Sequence, residues 1–419
     1  MNGHVDGAPD LHETTCCIVG AGPAGAMLAL LLARQGVPVK LLEAHRDFDR
    51  DFRGDSVHPA ILELLDEIGL ADRVLAEVPH RKIRGATLPT EPPVTLGFSR
   101  LRTRFPFMTL MPQARFLEFL TAEAARLPSF ELVMQASVRE LVTENGIVRG
   151  VRYRAPDGPH ELRATLTVGT DGRFSQVRRQ SGLRAVTYAS PIDVLWFRLP
   201  RLPADPEGVV GRIGRGQMLL MVDRGDQWQI GTIIPKDGFS AIRAAGLEAL
   251  HRTLVALVPW LEGRVSDLDD WKRVSLLSVQ IDRLPRWWLP GLLLLGDAAH
   301  VMSPVAGNGI NYAVQDAVAA ANLLTGPLAA GRVDDRDLAA VQRRRDWPVR
   351  LTQFAVAQMQ ERGLAKVLSQ RVRPPNPKLL EALLRVPLLG SLPLRLAAFG
   401  VRPEHVRPEL RQAHSASLP

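Results

Sequence analysis

Three glycines in the segment GAGPAG, residues 20–25, have the spacing of a turn that binds a dinucleotide. Gly20 can form the tight turn after a strand, Gly22 lets the backbone approach a pyrophosphate, and Gly25 lets the next helix pack on that strand. The N-terminus of this helix adds positive partial charge. Glu43 follows 43 − 25 = 18 positions after Gly25, close to the ~20 typical of a carboxylate that binds a ribose hydroxyl. These residues predict a dinucleotide with a free 2′-hydroxyl, FAD or NAD before NADP.

A second turn is predicted within residues 165–182, TLTVGTDGRFSQVRRQSG. A short strand ends at Asp171 and Gly172, where a carboxylate and a glycine can hold a close turn. Ser175 and Arg178 are three residues apart, so they share one face of the helix that follows. This segment predicts a strand, a tight turn and a capped helix.

A third turn is predicted within residues 296–317, GDAAHVMSPVAGNGINYAVQDA, after a buried strand pattern. Asp297 can accept hydrogen bonds from hydroxyl groups, and Gly307 and Gly309 allow the backbone to approach a ligand closely. The N–H groups that open the helix predicted at about residues 307–324 favour negative charge. The question is what this third turn binds when the first already suits a diphosphate.

The three motifs in this order resemble the group A flavoprotein monooxygenases, the p-hydroxybenzoate hydroxylase type, over residues 12–345. Residues 171–178 match the family's DG motif, and residues 296–317 match its motif for the flavin end of FAD. The resemblance implies FAD as the cofactor. FAD is too long for one glycine turn to hold, so the first turn would bind the diphosphate and adenosine, and the third would bind the ribityl chain and the flavin ring.

The resemblance also assigns individual residues to the cofactor site. Arg53 matches an arginine ahead of the family's second helix. Gln113 and Arg115 match polar residues that touch the flavin chain, and a backbone contact with adenine is expected near Val138. The family usually has glutamine in place of Asn308, and the shorter side chain is expected to change the flavin pocket slightly. The full set of cofactor-binding residues implied in this way is Gly20, Gly22, Pro23, Ala24, Gly25, Glu43, Ala44, Arg53, Gln113, Arg115, Val138, Asp171, Gly172, Asp297, Pro304, Gly307, Asn308, Gly309, Ile310 and Asn311.

A reaction is implied as well as a cofactor. NAD(P)H would reduce FAD without a nucleotide-binding domain of its own, and dioxygen would form a flavin C4a-hydroperoxide that hydroxylates or epoxidises an aromatic or polyketide-like molecule. The protein would mainly supply position and a dry pocket, so no catalytic residue is assigned. No cysteine metal site or disulfide is expected, because Cys16 and Cys17 are adjacent in a strand and point to opposite faces.

Two other functions remain open on the same scaffold. One is a prenyl-chain reductase or a halogenase, although the halogenase pattern Trp-x-Trp-x-Ile-Pro is absent, because residues 228–231, WQIG, lack the second tryptophan. The other is a non-catalytic flavoprotein, a redox sensor or binding module, in which NAD(P)H never reduces the FAD.

Hydrophobic periodicity predicts an α/β fold. Residues 16–42 have the pattern of a βαβ unit, and residues 186–236 have that of antiparallel strands separated by turn residues. Together with the resemblance, this predicts a Rossmann-like FAD-binding domain of the GR2 type, an inserted mixed or antiparallel substrate-binding sheet and a C-terminal helical region. The predicted ranges are 12–80, 105–185 and 271–345 for the FAD-binding domain, 81–104 and 186–270 for the substrate sheet, and 346–419 for the C-terminal region.

The inserted sheet is expected to form a roof over the flavin. Alternation puts every second residue of a strand on a common face, where it can line an apolar pocket or pack in a core. The candidates for contact with substrate are Trp196, Arg198, Met218, Leu220, Trp228 and Ile230. His300, beside the third turn, is expected to brace that turn rather than act in catalysis, and His58 is interpreted in the same way.

Composition limits the partners. Lys+Arg 52 against Asp+Glu 44 gives a formal net charge of +8 over 419 residues, but the basic clusters at 81–84 and 100–104 lack the interleaved aromatics of a single-strand binder, which argues against nucleic acid. No run reaches the ~18 apolar residues of a membrane span, and residues 1–15 lack the order of a signal peptide, so a cytoplasmic location is expected. The apolar segment 378–402 is expected to cap the FAD domain, with peripheral membrane contact as the alternative. The expected partners are an aromatic or polycyclic molecule and dioxygen, for a monomer or a dimer.

Overall fold

The structure is a computed structural model. It describes residues 9–49, 56–88, 94–214, 216–304, 307–364 and 387–413. Arg53, one of the predicted cofactor-binding residues, lies outside the described residues.

The strands in these ranges form four sheets. They are β1 (Asp10–Val19), β2 (Val39–Leu42), β3 (Ser56–Val57), β4 (Arg81–Ile83), β5 (Gly85–Leu88), β6 (Val94–Gly97), β7 (Met108–Leu110), β8 (Phe130–Val133), β9 (Ser137–Glu144), β10 (Ile147–Ala155), β11 (Gly158–Gly169), β12 (Val186–Tyr188), β13 (Ile192–Pro200), β14 (Val209–Gly214), β15 (Gln217–Asp223), β16 (Gln227–Pro235), β17 (Ser275–Leu277), β18 (Ile281–Arg283), β19 (Trp288–Leu289), β20 (Leu292–Leu294) and β21 (His300–Val301).

The α-helices cover the sheets. They are α1 (Pro23–Ala33), α2 (Pro59–Glu67), α3 (Ala71–Glu77), α4 (Gln113–Ala124), α5 (Gln176–Ser181), α6 (Phe239–Ala245), α7 (Leu247–Leu257), α8 (Gly309–Ala329), α9 (Asp335–Gln358), α10 (Pro387–Phe399) and α11 (Pro408–Arg411).

The largest sheet carries the dinucleotide-type unit. Its strand order is β19-β20-β11-β1-β2-β8, with β10 and β9 added to β11 as an antiparallel pair. The strands from β20 to β8 run parallel, and β1, α1 and β2 form the predicted βαβ unit. Helix α1 is buried from Ala24 to Ala33, because it packs between this sheet and helices α4 and α8. A helix buried on all sides has no polar face, which explains the apolar sequence PAGAMLALLLA.

The inserted sheet has seven strands in the order β17-β13-β16-β15-β14-β5-β6. All its pairs are antiparallel except β14 with β5, so the sheet is mixed, as predicted. Two segments extend beyond the predicted limits. Strand β17 pairs with β13 although it lies beyond residue 270, and helix α9 continues through the limit at residues 345 and 346. Local periodicity does not show that a strand pairs, or that a helix continues, across a predicted domain boundary.

Two three-stranded sheets join these parts, β3-β7-β4 and β12-β18-β21. The first sheet contains Ser56, close to the third predicted turn. The second sheet ends in β21, which lies within the range predicted for that turn. Residues 400–413 then return to Gln35, which follows α1, and to helices α2 and α8 through hydrogen bonds. None of the helices in the described residues is long and apolar enough to span a bilayer.

Candidate functional site

Gly20 brings the first and second predicted turns into contact. Its φ is +99°, a conformation that residues with side chains rarely adopt, and its N–H donates to the Leu42 carbonyl at 2.7 Å. A Cβ atom at Gly20 would lie 2.6 Å from Asp171 Cα. The hydroxyl of Thr170 lies 2.7 Å from the Gly20 carbonyl oxygen. The two turns therefore touch through backbone atoms, and only glycine fits between them.

The start of helix α1 is shaped for close backbone packing. Gly22 is the N-cap, in an extended conformation, and Pro23 is the first helical residue, a favoured position for proline. A Cβ atom at Gly25 would lie 2.0 Å from the Gly20 carbonyl oxygen, and Ala24 beside it is buried. Since a glycine N-cap has no side chain to accept from the first N–H groups, these groups can receive an anion.

Glu43 follows β2 and braces the first turn. The residue is 8% exposed; its Oε2 accepts the N–H of Ala21 at 3.0 Å, and its Oε1 accepts the N–H of His45 at 3.1 Å. Ala44 is exposed, and Val138 is buried near the start of β9. The carboxylate thus holds the glycine turn from below, next to the position where a ribose would lie.

Asp171 holds the second turn and caps helix α5. Its carboxylate accepts hydrogen bonds from the Ser175 hydroxyl and from the N–H groups of Gln176 at 2.7 Å and Val177 at 3.1 Å. Burial raises the pKa of Asp171, and these hydrogen bonds oppose that rise. Gly172 has a φ of +78°. Asp171 therefore shapes the turn that presses on Gly20.

Arg178, the arginine of the second turn, reaches the third. Its guanidinium donates to the carbonyl of Ala298 at 3.5 Å and lies 3.4 Å from Asp282 Oδ1. Asp282 in turn accepts the N–H of Val301 at 3.3 Å. All three predicted turns are thus in one connected region.

Gly296 packs the third turn against the first helix. Its φ is +57°, and a Cβ atom there would lie 3.4 Å from Ala24 Cβ and 3.3 Å from Ala313 Cβ. The turn therefore lies between α1 and α8. Asp297 is half-buried in the 3-10 turn Gly296–Ala298.

Gly307 lies where the loop after the third turn meets two other segments. Its φ is +62°, and its N–H donates to the carbonyl of Pro304 at 3.0 Å. Its own carbonyl oxygen lies 3.1 Å from His58 Nε2 and 3.4 Å from Ser56 Oγ. His58 Nδ1 lies 2.8 Å from the Ala397 carbonyl on α10, and burial lowers the pKa of His58. His58 therefore links this loop to the C-terminal helix.

Two asparagines at the start of α8 each have one buried polar atom that finds no partner among the residues the structure describes. Asn308 is 6% exposed and Asn311 is 0% exposed. Asn308 Oδ1 and Asn311 Nδ2 have no hydrogen-bond partner within the described ranges. Gly309 and Ile310 between them are half-buried. Buried polar atoms without partners are unfavourable by about 1–3 kcal/mol each, so these atoms suit a ligand with both donor and acceptor groups. An FAD ring has both, and the residues at this position fit it.

Asp316 ties the third turn to the C-terminal part of the chain. Its fully buried carboxylate accepts the Gly296 N–H at 3.2 Å, lies 2.6 Å from His300 Nε2 and accepts from Arg345 Nε at 2.9 Å. Arg345, also fully buried, donates to Glu404 at 3.3 Å. His300 thus holds the turn to α8, which is the bracing role expected for it.

Comparisons with known proteins agree with this arrangement of turns. The FAD binding domain family matches residues 13–355. The chain is 34% identical to a 6-methylpretetramide 4-monooxygenase of Streptomyces rimosus, over 98% of this chain and 98% of that protein. It is 31% identical to a 12-dehydrotetracycline 5-monooxygenase/anhydrotetracycline 6-monooxygenase of Streptomyces rimosus subsp. rimosus, over 72% of this chain and 60% of that protein.

The chain belongs to this FAD-binding family, as a group A flavoprotein monooxygenase.

Its cofactor is FAD, and both the fold class and the family implied by the three motifs are confirmed. Among solved structures, the flavoprotein resembles the OxyS anhydrotetracycline hydroxylase of Streptomyces rimosus, with a TM-score of 0.72, 27% identity, and 94% of this chain and 77% of that chain covered. It also shares its fold with PqsL of P. aeruginosa in complex with 2-aminobenzoylacetate, with a TM-score of 0.72, 23% identity, and 86% and 98% covered.

The remaining predicted cofactor residues of the flavoprotein lie on α4. Gln113 is its first residue and is half-buried. Arg115 has 64% of its side chain exposed and pairs with Glu118 at 2.8 Å. An exposed ion pair of this kind is weak, so it does not prevent Arg115 from turning to a ligand.

Strand register separates the six predicted substrate residues of the flavoprotein into two groups. Val194, Ile233 and Met218 form one row across β13, β16 and β15, and Trp196, Gly231 and Leu220 form the next. Since side chains alternate along a strand, Trp196, Arg198, Met218 and Leu220 share one face. Leu220 packs with Ile83 and Leu110, which places this face on the side of the β3-β7-β4 sheet, next to the Gly307 loop.

Trp228 and Ile230 lie on the opposite face of the inserted sheet. Both are 0% exposed and pack in a core with Leu250 and Leu254 of α7. Trp228 Nε1 also donates to Asp205 at 2.9 Å. The prediction that these two residues line the substrate pocket therefore differs from the structure, because alternation alone does not tell which face of a sheet is covered by helices.

Proposed function

We propose that this flavoprotein is an NAD(P)H-dependent monooxygenase that hydroxylates or epoxidises an aromatic or polycyclic, polyketide-like molecule. The observation that carries the proposal is an apolar sheet face, with Trp196, Met218 and Leu220, on the side of the β3-β7-β4 sheet and of the loop at Gly307, where the flavin ring would bind. The names of the Streptomyces relatives support a substrate of this class.

In this proposal, one set of residues would bind the cofactor and another would enclose the substrate. When bound, FAD would supply electrons and activate dioxygen. The turn at Gly20 and the N-terminus of α1 would hold its diphosphate, and Glu43 would bind the ribose. The N–H groups that open α8 would favour negative charge on the ring. The inserted sheet would exclude water and orient the substrate through apolar contact.

Isotopic labelling tests the proposed reaction. The purified holoprotein is mixed with NADH or NADPH, labelled dioxygen and a panel of aromatic polyketides. Substrate-stimulated oxidation of the nicotinamide, with one labelled oxygen atom in the product, is the expected result. Product without label, or conversion under anaerobic conditions, would contradict a monooxygenase reaction on that substrate.

Gly231 is predicted to control substrate affinity through Trp196. A Cβ atom at Gly231 would lie 2.9 Å from Trp196 Cη2, so Gly231→Ala must displace the indole. We expect the KM for the aromatic substrate to rise by about tenfold, which corresponds to the loss of one aromatic contact, with the FAD spectrum unchanged. Steady-state kinetics measure the change.

Thr232→Val is the matched control for this prediction. Thr232 is the next residue on β16, 2% exposed, and its side chain lies on the face covered by helices. Its KM should equal that of the wild type. An unchanged KM in Gly231→Ala, or an equal rise in both variants, would show that the Trp196 face does not contact substrate.

A further inference from the structure

The buried face of α8 carries two neighbouring polar side chains. Asn311 and Gln315 are 0% and 1% exposed and are four residues apart, so they share one face. Gln315 Nε2 donates to Asn311 Oδ1 and to the carbonyl of Phe399, each at 3.0 Å. Gln315 Oε1 accepts the N–H of Glu404 at 3.3 Å. Gln315 therefore joins the start of α8 to the C-terminal segment 399–404.

The backbone partners of Gln315 fix the orientation of its amide. A carbonyl such as that of Phe399 can only accept, and the N–H of Glu404 can only donate. Gln315 must therefore direct its NH2 group to Phe399 and Asn311, and its oxygen to Glu404. Asn311 is then held with its oxygen toward Gln315, which leaves its NH2 group as the available donor. This is the atom, Asn311 Nδ2, that has no partner in the described part of the chain.

The segment 399–404 is itself held firmly against the FAD domain. The N–H of Val401 donates to the hydroxyl of Tyr312 at 3.2 Å, and a Cβ atom at Gly400 would lie 3.3 Å from the Tyr312 ring. Glu404, 4% exposed, accepts from Arg344 Nε at 2.8 Å. The backbone groups that orient Gln315 are fixed in this way. Neither the Gln315 amide nor the Asn311 amide can therefore exchange the positions of its oxygen and its NH2 group independently of the other.

We propose that Gln315, oriented by residues 399–404, is a positioning residue that presents the NH2 group of Asn311 to an acceptor atom of the flavin. This inference rests on the proposed contact between the start of α8 and FAD. We call the chain of hydrogen bonds from residues 399–404 through Gln315 to Asn311 the relay. A donor that is already buried and oriented loses little entropy when the acceptor arrives, so the relay strengthens FAD binding and fixes the environment of the flavin ring.

A double-mutant cycle on FAD affinity tests the relay. The full-length apoprotein is titrated with FAD by fluorescence, and the midpoint potential of the bound flavin is measured. Gln315→Met, which is close in shape but cannot donate, and Asn311→Ala should each weaken FAD binding by about tenfold, the effect of one lost hydrogen bond. Both should shift the potential in the same direction. The double variant should bind no more weakly than Asn311→Ala, because coupled residues are not additive.

Asn322→Leu is the matched control for loss of structure alone. Asn322, also on α8, donates to the carbonyl of His405 at 2.8 Å and accepts the N–H of Arg407 at 3.0 Å, so it anchors the same C-terminal segment away from Asn311. This variant should be less stable but should keep the FAD affinity and the flavin potential. If Gln315→Met does not fold, Gln315→Glu replaces it, since an ionised glutamate still accepts from Glu404 and cannot donate to Asn311.

The outcomes separate the two proposals. If Asn311→Ala binds FAD as tightly as the wild type, the placement of FAD at the start of α8 is wrong. If Asn311→Ala weakens binding and the Gln315 variant does not, or if their effects add, the contact with FAD stands and the positioning role of Gln315 is wrong.

Discussion

Purified Gly20→Ala protein is expected to be colourless, without bound FAD. The added methyl group would lie 2.6 Å from Asp171 Cα and 2.7 Å from the Thr170 carbonyl oxygen, and both are backbone atoms that side-chain rotation cannot move. The residue would also keep a φ of +99°. Steric overlap and backbone strain together should lower the free energy of unfolding by about 2–6 kcal/mol. The flavin absorbance of the purified protein and urea unfolding of the apoprotein measure the two effects.

Gly36→Ala is the control that separates the effect of backbone strain from the effect of steric overlap. Gly36 also has a positive φ, +73°, but a Cβ atom there would meet nothing within 4 Å. This variant should lose only about 1–2 kcal/mol from strain and should remain yellow. Stoichiometric FAD in Gly20→Ala would mean that the first and second turns do not need to touch for the cofactor to bind.

Arg345→Met is expected to lower the free energy of unfolding by about 3–5 kcal/mol, the usual effect of removing one partner from a buried ion pair. Arg345 and Asp316 are both 0% exposed and 2.9 Å apart, so the change leaves a buried carboxylate whose remaining partners among the described residues are His300 and the Gly296 N–H. Urea unfolding of the apoprotein near neutral pH measures the loss. Arg350→Met on the same helix is the control, because Arg350 is 61% exposed in its pair with Asp346 and such pairs contribute about 0–1 kcal/mol.

The same variant should show a changed response to acid. Burial raises the pKa of Asp316, but His300 and Arg345 outweigh burial, so its pKa lies below the ordinary value. A carboxyl group with a lowered folded pKa stabilises the protein above its unfolded pKa of about 3.9 and loses that contribution as the pH falls through the folded pKa. Without Arg345, the pKa of Asp316 rises. The stability deficit of Arg345→Met should therefore be largest near neutral pH and shrink as the pH falls through the folded pKa of Asp316 in the variant and on toward that of the wild type, below about 3.9; a deficit that is constant with pH would contradict this.

Local sequence was sufficient to predict the turns of the cofactor site. Gly20 was predicted to form the tight turn and Gly25 to let the helix pack on the strand, and a Cβ at either position would overlap backbone atoms. These positions could be predicted from the sequence because a residue with positive φ, or one in close contact with other backbone atoms, is usually a glycine. The helix predicted at about residues 307–324 is α8, Gly309–Ala329. Its C-terminal end lies later than predicted because the helix continues through Gly326 and Pro327, residue types that usually end a helix.

The supporting contacts could not be predicted from local patterns. Arg345 pairs with Asp316, and Glu404 pairs with Arg345, from other parts of the chain, and no spacing rule links such distant positions. One sign was present, since Gln315 and Asp316 interrupt the apolar sequence of α8, and polar residues at core positions need partners. Which residues supply those partners depends on the path of the C-terminal segment, and that path follows from tertiary packing.

Residues 399–413 complete the core of the FAD domain although they follow its other elements in the chain. They supply partners to Gln315, Tyr312 and Arg345. During synthesis on the ribosome, domains fold as their residues emerge, so the core of the FAD domain cannot be completed before residues 399–413 have emerged. We therefore expect nascent chains stalled before residue 399 to capture no flavin, and an affinity tag fused after residue 413 to interfere with maturation more than one placed at the N-terminus.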